Sequence, residues 1–491
     1  VTLRVAIVGG GIGGLACAAR LAAAGCAVTL LEATEALGGK LREVTVAGRR
    51  IDSGPTVLTM RWVFDELFEA CGGRLDTHAR LASLSVLARH AWSDGSMLDL
   101  FADPAASEDA IGARFGAAEA RGYARFRDQS RLVYETLEPH FILAPLPTPT
   151  GLMLRTGIGG IVRIAPFTSY WRALGGYFRD VRLRQLFARY ATYCGADPFT
   201  APATLMLVAH VESQGVWSVE GGMHRLADAI AALAEGQGAR LRTGTTVACI
   251  EVANGRVAGV RLRDGERVAA DAVVLNADQG ALAAGLFGAE TCDAVAGVGP
   301  ARSLSAVTWS MVASASGFPL LRHNVFFSKD YEAEFRDLTR YRRLPSEPTL
   351  YICAQDRTDT PAGPSAEGLF CIMNAPADGD GAAAGPDAAD AAQQTMQRRL
   401  RQAGLELQCS SSERTTPRDF HRLFPASGGA LYGPANNGPY ASFRRPGART
   451  RVPGLYLAGG TVHPGPGLPM AALSGKMAAA AVLADGASTR T

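Results

Sequence analysis

Little in this chain points to a disulfide framework or a metal centre. Its nine cysteines, at 17, 26, 71, 194, 249, 292, 353, 371 and 409, are scattered and never spaced as Cys-x-x-Cys. That pattern argues against a stapled secreted fold and a zinc site, so no metal is expected. It fits a reducing cytoplasm, with the cysteines as small buried hydrophobes. No run of roughly 18 or more apolar residues is visible, which leaves only a peripheral role at a membrane. The first apolar run is broken by glycines and carries no cleavage pattern, so no signal peptide is expected. Charge of one sign is also missing: 49 Lys and Arg stand against 46 Asp and Glu, for a net +3. Nothing in that balance calls for nucleic acid or an acidic partner. No repeat of fixed period occurs.

What is present begins at the N-terminus. The 491 residues are 47% hydrophobic, enough for a sizeable core. Leu3 to Val8 reads as a buried strand, and it runs into Gly9-Gly10-Gly11-Ile12-Gly13-Gly14. Leu15 to Ala24 reads as a helix, and Val28 to Leu31 as a second strand ending in Glu32. Strand, GxGxxG, helix, strand and acid is the order of a dinucleotide site. Gly9 allows the tight turn, Gly11 lets backbone approach the pyrophosphate, and Gly14 lets helix and strand pack closely. The helix start then offers free N–H groups to phosphate. Glu32 can accept hydrogen bonds from ribose hydroxyls and disfavours a 2′-phosphate, so NADP is not expected.

Two further segments resemble the extended fingerprint of the flavoprotein superfamily that contains amine oxidases and carotenoid desaturases. They are Gly38-Gly39-Lys40-Leu41-Arg42 and Ile51-Asp52-Ser53-Gly54-Pro55-Thr56. The resemblance implies FAD, with Lys40, Arg42, Gly54, Pro55 and Thr56 beside it. Near the C-terminus, Gly454 to Ala458 reads as a strand ended by Gly459-Gly460. A loop reaches Gly467-Leu468-Pro469, and an alanine-rich helix runs from Met470 to Leu483. In the superfamily this strand ends beside the flavin and the helix N-terminus faces its ring, where the dipole would favour the electron-rich reduced form. Mid-chain, Glu220 to Met223 precedes a helix from Arg225 to Ala234. Runs from Arg242 to Val252, Val257 to Leu262 and Ala272 to Leu275 follow, with turns at Asn254-Gly255 and Asp264-Gly265. The superfamily places backbone near Val247 against adenine.

The expected fold class is therefore α/β: a discontinuous Rossmann-like FAD-binding domain of the amine-oxidase and phytoene-desaturase type with an interleaved α+β substrate domain. The FAD domain is expected over 1–80, 216–300 and 430–491, and the substrate, membrane-facing domain over 81–215 and 301–429. Ala377 to Ala392, mostly Ala, Gly and Asp, reads as a surface loop running into a helix.

Nearly the whole chain resembles a bacterial carotenoid desaturase of the phytoene-desaturase type. Beyond the fingerprint, Trp217 to Leu226, Asn276 to Asp278, Tyr351 to Pro364, Thr416-Pro417, Phe443 to Gly447 and Gly454 to Gly467 carry the likeness. Gly54 to Arg61, Leu87 to Trp92, and Tyr190 to Gly195 with Ala203 to Ala209 narrow it to the 1-hydroxycarotenoid 3,4-desaturases, also called hydroxyneurosporene or methoxyneurosporene desaturases. Met470 departs from the small residue that many phytoene desaturases carry after the proline. The resemblance implies an FAD-dependent oxidoreductase acting on CH–CH bonds, with an acyclic 1-hydroxy- or 1-methoxy-carotenoid as substrate. Oxygen or a quinone would take the electrons, and the setting would be the cytoplasmic side of a bacterial membrane.

Such an oxidation needs a two-electron acceptor, which no side chain supplies. The polyene delocalises developing charge, so a dedicated base is not required. Glu220 and His463 are the titratable groups nearest the flavin motifs in sequence and stand as catalytic candidates, with a structural role as the other reading of each. His90 and Trp92 either line the pocket or pack in the core. Gly151 to Tyr190 carries Arg155, Arg163, Arg172, Arg179, Arg182, Arg184 and Arg189 among apolar and aromatic residues, with Asp180 its only acid. That pattern can sit on anionic lipid, or it can be a solvated face over the core. Three alternatives remain: a phytoene desaturase acting on the unsubstituted polyene, a flavin amine or protoporphyrinogen-type oxidase, and a flavin-free binding module like the Rab-binding inhibitors. The complete glycine turn with Glu32 argues against the last.

Overall fold

The structure, a computed structural model, describes residues 2–295, 301–358, 365–381 and 386–488. The end of the Tyr351–Pro364 stretch, part of Ala377–Ala392 and the ends of the 216–300 and 430–491 segments lie outside them.

Five parallel strands form the first sheet. The elements are β1 (Arg4–Val8), α1 (Ile12–Ala23), β2 (Ala27–Leu31), α2 (Arg225–Gly236), β3 (Arg240–Arg242), β4 (Ala272–Leu275), β5 (Leu455–Leu457) and α3 (Leu468–Ser488). The strand order is β5-β4-β1-β2-β3, with Ile7 beside Leu30 on one side and Val274 on the other. Val5 to Val8 is apolar throughout because both faces of a parallel sheet are covered. One cover is α1, whose residues are small and buried on almost every side. Its outer flank meets α3, where a Cβ on Gly475 would come within 2.3 Å of the Gly13 carbonyl oxygen. Only a glycine permits that approach.

By length and composition α3 could cross a membrane, which qualifies the sequence expectation. Packed on α1 and 56% buried over its apolar window, it serves here as a core helix. The expected Arg242–Val252 strand is also two strands. Gly244, at φ +58°, breaks it. The N–H groups of Gly244 and Thr245 donate to Thr34 O and Glu32 O at 2.8 and 2.7 Å, carrying Val247 to the side of Glu32. The following hairpin turns at Asn254 and Gly255, both at positive φ as a two-residue turn of this hand demands.

The second sheet has seven strands, in the order Glu406–Thr415, Ser305–Ser316, Glu367–Ala375, Leu350–Ala354, His323–Phe326, Val86–Ala91 and Met97–Phe101. Alternation of side chains divides its faces. Trp309, Met311, Ile352, Cys371 and Met373 pack under the helix Pro386–Gln402 through Ala392, Met396 and Leu400. On the other face the register sets Thr308, Ile372, Tyr351 and Val325 in one row. That face looks toward helices from 117–213. His90 continues the same row but lies in the core, as does Trp92; both stack with Phe327. Of the cysteines, 17, 71, 353 and 371 are buried, whereas Cys409 is exposed and the rest are half-buried.

Candidate functional site

One cavity of about 1310 Å³ runs between the two sheets. That exceeds the usual range for a single small ligand, roughly 300–1,000 Å³. Its first part is built by the glycine turn. Gly9 takes φ +103°, and a Cβ there would meet Asn276 O at 2.6 Å. Gly11 lines the cavity as bare backbone at the start of α1. Gly14 lies beneath, where a Cβ would reach 2.2 Å from Gly9 O. Glu32 lines the wall and also holds the turn: its Oε2 accepts from Gly10 N at 2.7 Å, and its Oε1 from Thr34 N at 2.9 Å. Thr245, Thr246 and Val247 close this end.

The middle of the wall joins distant segments. Lys40 Nζ donates to Leu431 O at 2.7 Å and stands 5.3 Å over Phe424, and burial lowers its pKa. Arg42 donates to Thr415 Oγ1 at 2.9 Å and stacks on Phe420. Gly54 passes under Lys40, where a Cβ would meet its carbonyl oxygen at 2.1 Å. Pro55 and Thr56 face the cavity, as do Gly459, Gly460, Gly467, Leu468, Pro469 and Met470 at the start of α3. The lysine and arginine thus spend donors on the protein itself while remaining in the wall.

Several residues that organise this wall were given no role of their own from the sequence, although Asn276, Asp52 and Arg445 lie in stretches that carry the resemblance. Asn276 donates through Nδ2 to Gly9 O at 3.2 Å and lies against Gly13 and Gly459, tying three segments. Ser474 Oγ accepts from Gly459 N at 3.0 Å. Asp52 accepts from Met223 N and His224 N at 2.7 and 3.2 Å, anchoring the start of α2. Arg445, buried, donates to the carbonyls of Gly460 and Pro434 at 3.1 and 2.8 Å, and burial lowers its pKa to about 10. Its place in the Phe443–Gly447 stretch was the one signal available.

Beyond the glycine wall the cavity becomes an apolar arm, lined by Leu137, Phe141, Leu152, Ile164, Val208 and Ile372 among others. Buried polar residues interrupt it, among them two clusters. Tyr351 OH lies 2.6 Å from Thr56 Oγ1 and 2.7 Å from His323 Nδ1. Arg189 lies 4.0 Å from Glu212, with the hydroxyls of Tyr190 and Tyr193 on that carboxylate. Burial opposes the Arg189 charge, yet Tyr193 and Glu212 raise its pKa. The arm's wall also includes Met153, Phe167 and Tyr440, which are exposed.

The two catalytic candidates fall outside the wall. Glu220 is on the surface, its side chain 63% exposed and 4.0 Å from Arg80. Adjacency in sequence to Gly221 misplaced it, because the turn carries its side chain outward. His463 is buried with Nε2–H on Ala144 O at 2.8 Å and its ring edge against Phe141. Burial pushes its pKa down to about 4, so the ring is neutral, while its neighbour Pro464 faces the cavity. The basic stretch divides. Arg189 belongs to the buried cluster, Arg182 pairs with Asp180 and Asp94, and Arg184 donates to Phe178 O. Arg155, Arg163, Arg172 and Arg179 are exposed.

The fit to a flavin dinucleotide follows from the wall. Two helix N-termini, those of α1 and α3, open on one cavity, and glycines bare the backbone at both. The glycine turn and the α3 loop would hold FAD, with Glu32 and Val247 at the adenosine end. This construction defines an FAD-dependent oxidoreductase with a large apolar substrate arm. Comparison with known proteins agrees. The flavin containing amine oxidoreductase family matches residues 154–483, and an NAD(P)-binding Rossmann-like domain matches residues 7–70. Hydroxyneurosporene desaturase of Rubrivivax gelatinosus is 51% identical, over 98% of this chain and 94% of that one. Hydroxyneurosporene desaturase of Cereibacter sphaeroides is 48% identical, over 99% and 98%. The chain belongs to the carotenoid desaturases of the flavin-containing amine oxidoreductase family. A solved putrescine oxidase, 14% identical over 99% of both chains with a TM-score of 0.58, shares the fold.

Proposed function

We propose that this enzyme introduces a C=C bond, at C-3,4, into an acyclic carotenoid carrying a hydroxyl or methoxyl at C-1. The observation that carries this is the continuity of the cavity, from a dinucleotide wall into a long apolar arm. Bound FAD supplies the two-electron acceptor. The chain's own residues exclude water, lay the polyene along the arm and set its end beside the Gly54–Thr56 turn. Neither Glu220 nor His463 lines the cavity, so the proton lost from the neighbouring carbon is assigned to solvent rather than to either side chain, its acidity raised by the conjugated chain.

The arm opens where a polyene could leave a bilayer. Leu154, Ile158, Val162 and Phe167 are 82, 76, 70 and 68% exposed, and they belong to or follow the helix Pro149–Ile164 that forms part of the wall. Arg155 and Arg163 flank them. An apolar rim with cations at its edge matches a membrane surface bearing anionic lipid. We place the enzyme peripherally on the cytoplasmic side of the bacterial membrane, with oxygen or a membrane quinone receiving the electrons. The test is expression in cells that accumulate either 1-hydroxyneurosporene or phytoene, with pigment analysis. Conversion of the hydroxylated carotenoid to a product with red-shifted absorption is expected. Conversion of phytoene alone would overturn this reading in favour of the unsubstituted substrate.

A further inference from the structure

We propose that His323, held by Tyr351 and Thr56, reads the oxygen at C-1 of the substrate and so sets the preference for an oxygenated over a hydrocarbon carotenoid end. The proposal rests on the substrate class given above and goes further, assigning its recognition to one side chain.

Tyr351 lies in the Thr308–Ile372–Tyr351–Val325 row of the sheet, and His323 in the next row, opposite Cys353. Val325, Phe370 and Ile372 on this floor are apolar, with Thr308 the polar residue of the row. His323 is 2% exposed and forms part of the cavity wall. Its Nδ1 is taken by Tyr351 OH, whereas Nε2 has no hydrogen-bond partner among the described residues. A buried imidazole nitrogen without a partner is costly. Nε2 itself has almost no accessible surface, so it meets the cavity's contents through a small rotation of the ring, whose edge already lines the cavity, and a polar atom there relieves the cost.

The chemistry of the trio suits an alcohol or ether. Burial, with the charges of Arg322 and Arg189, pushes the His323 pKa down to about 3, so the ring is neutral. The chain Thr56–Tyr351–His323 can run in either direction. When Tyr351 OH donates to Nδ1, the proton sits on Nε2, which then donates to a hydroxyl or methoxyl oxygen. When Nδ1–H donates to Tyr351, Nε2 accepts from a hydroxyl. A hydrocarbon end offers neither and leaves the nitrogen unpaired.

Position agrees with chemistry. C-1 is separated from C-3 by a single methylene, so whatever reads the C-1 oxygen must lie beside the bond being oxidised. Thr56 belongs to the Gly54–Thr56 turn of the cofactor wall, and two hydrogen bonds link it to His323.

The test is the ratio of kcat/KM on a 1-hydroxycarotenoid to that on the hydrocarbon of equal length, measured for wild type, His323→Leu, His323→Gln and Tyr351→Phe in one lipid preparation. Flavin content and melting temperature check each fold. His323→Leu should lower the ratio about ten- to a hundredfold, the loss expected when a buried hydrogen bond to substrate disappears. His323→Gln, which keeps an amide near Nε2, should recover most of it, and Tyr351→Phe should fall between. Equal losses on both substrates, or an unchanged ratio in both His323→Leu and Tyr351→Phe, would overturn the proposal. If His323→Leu loses flavin, His323→Gln and Tyr351→Phe decide. A wild type that converts only the hydrocarbon would overturn the substrate reading itself, and the proposal with it.

Discussion

Replacing Gly14 with alanine tests the cofactor wall where it has least slack. The new Cβ would stand 2.2 Å from Gly9 O, so about 1 Å must be recovered to reach ordinary contact. Gly9 cannot yield easily: its N–H donates to Leu31 O at 2.8 Å, and its carbonyl accepts from Asn276. Nor can α1 retreat, because its far flank is locked on α3 at Gly13 and Gly475. Overpacking between parts this firmly held costs about 1–3 kcal/mol. The same displacement moves the first N–H groups of α1 away from where phosphate would sit. Losing one charge-assisted hydrogen bond lowers affinity about ten- to a hundredfold. Titration of deflavinated protein with FAD, followed by quenching of flavin fluorescence, measures this directly. Gly25→Ala is the control: its Cβ meets nothing within 4 Å, but φ is +81°. It should cost about 1–2 kcal/mol from backbone strain while leaving FAD affinity unchanged. Wild-type FAD affinity and melting in Gly14→Ala would refute the assignment of this turn as the phosphate cradle.

Two further perturbations test other parts of the molecule. Because His463 is neutral when buried, with a pKa near 4 against 6.5 in its ordinary state, the unfolded chain binds the proton first. Stability should therefore fall as pH drops from 6.5 to about 4, by about 3 kcal/mol for this group. His463→Asn should flatten the acid limb of a urea-unfolding series by that amount, and an unchanged slope would refute it. The triple change Leu154→Ser, Ile158→Ser and Val162→Ser should reduce liposome binding more than about tenfold, from lost apolar contact. It should leave FAD content intact, and undiminished flotation would count against membrane docking through this rim.

Parts of the site made by short-range chemistry were legible in the sequence. The run Gly9–Gly14, the hairpin at Asn254-Gly255 and the loop into α3 each declare themselves through backbone needs that only glycine or asparagine meets. Features that depend on which face a side chain takes were not. Glu220 follows a strand by one residue and turns outward. His90 and Val325 share a row of the sheet, yet only Val325 borders the cavity, because Phe327 covers the His90 ring. Arg189 read as one more cation of a basic stretch, since its partner Glu212 arrives from a different helix.

The polar reader of the arm was hidden for the same reason, although the sequence did contain a trace of it. Arg322, His323 and Asn324 interrupt an apolar segment from Phe318 to Phe327, and the last two begin the strand His323–Phe326. Neighbouring residues of a strand point to opposite faces, so two adjacent polar residues in a buried strand cannot both face solvent. Asn324 resolves its side: Oδ1 accepts from Leu321 N at 2.8 Å, and Nδ2 donates to Leu321 O and Ile352 O. His323 is resolved only on one nitrogen. A strand that satisfies one of its buried polar residues fully and leaves the other half-satisfied in a cavity wall reserves that second position for what enters the cavity. The partners that make this visible, Thr56 and Tyr351, come from segments far apart in the chain, and only the fold brings them to one place.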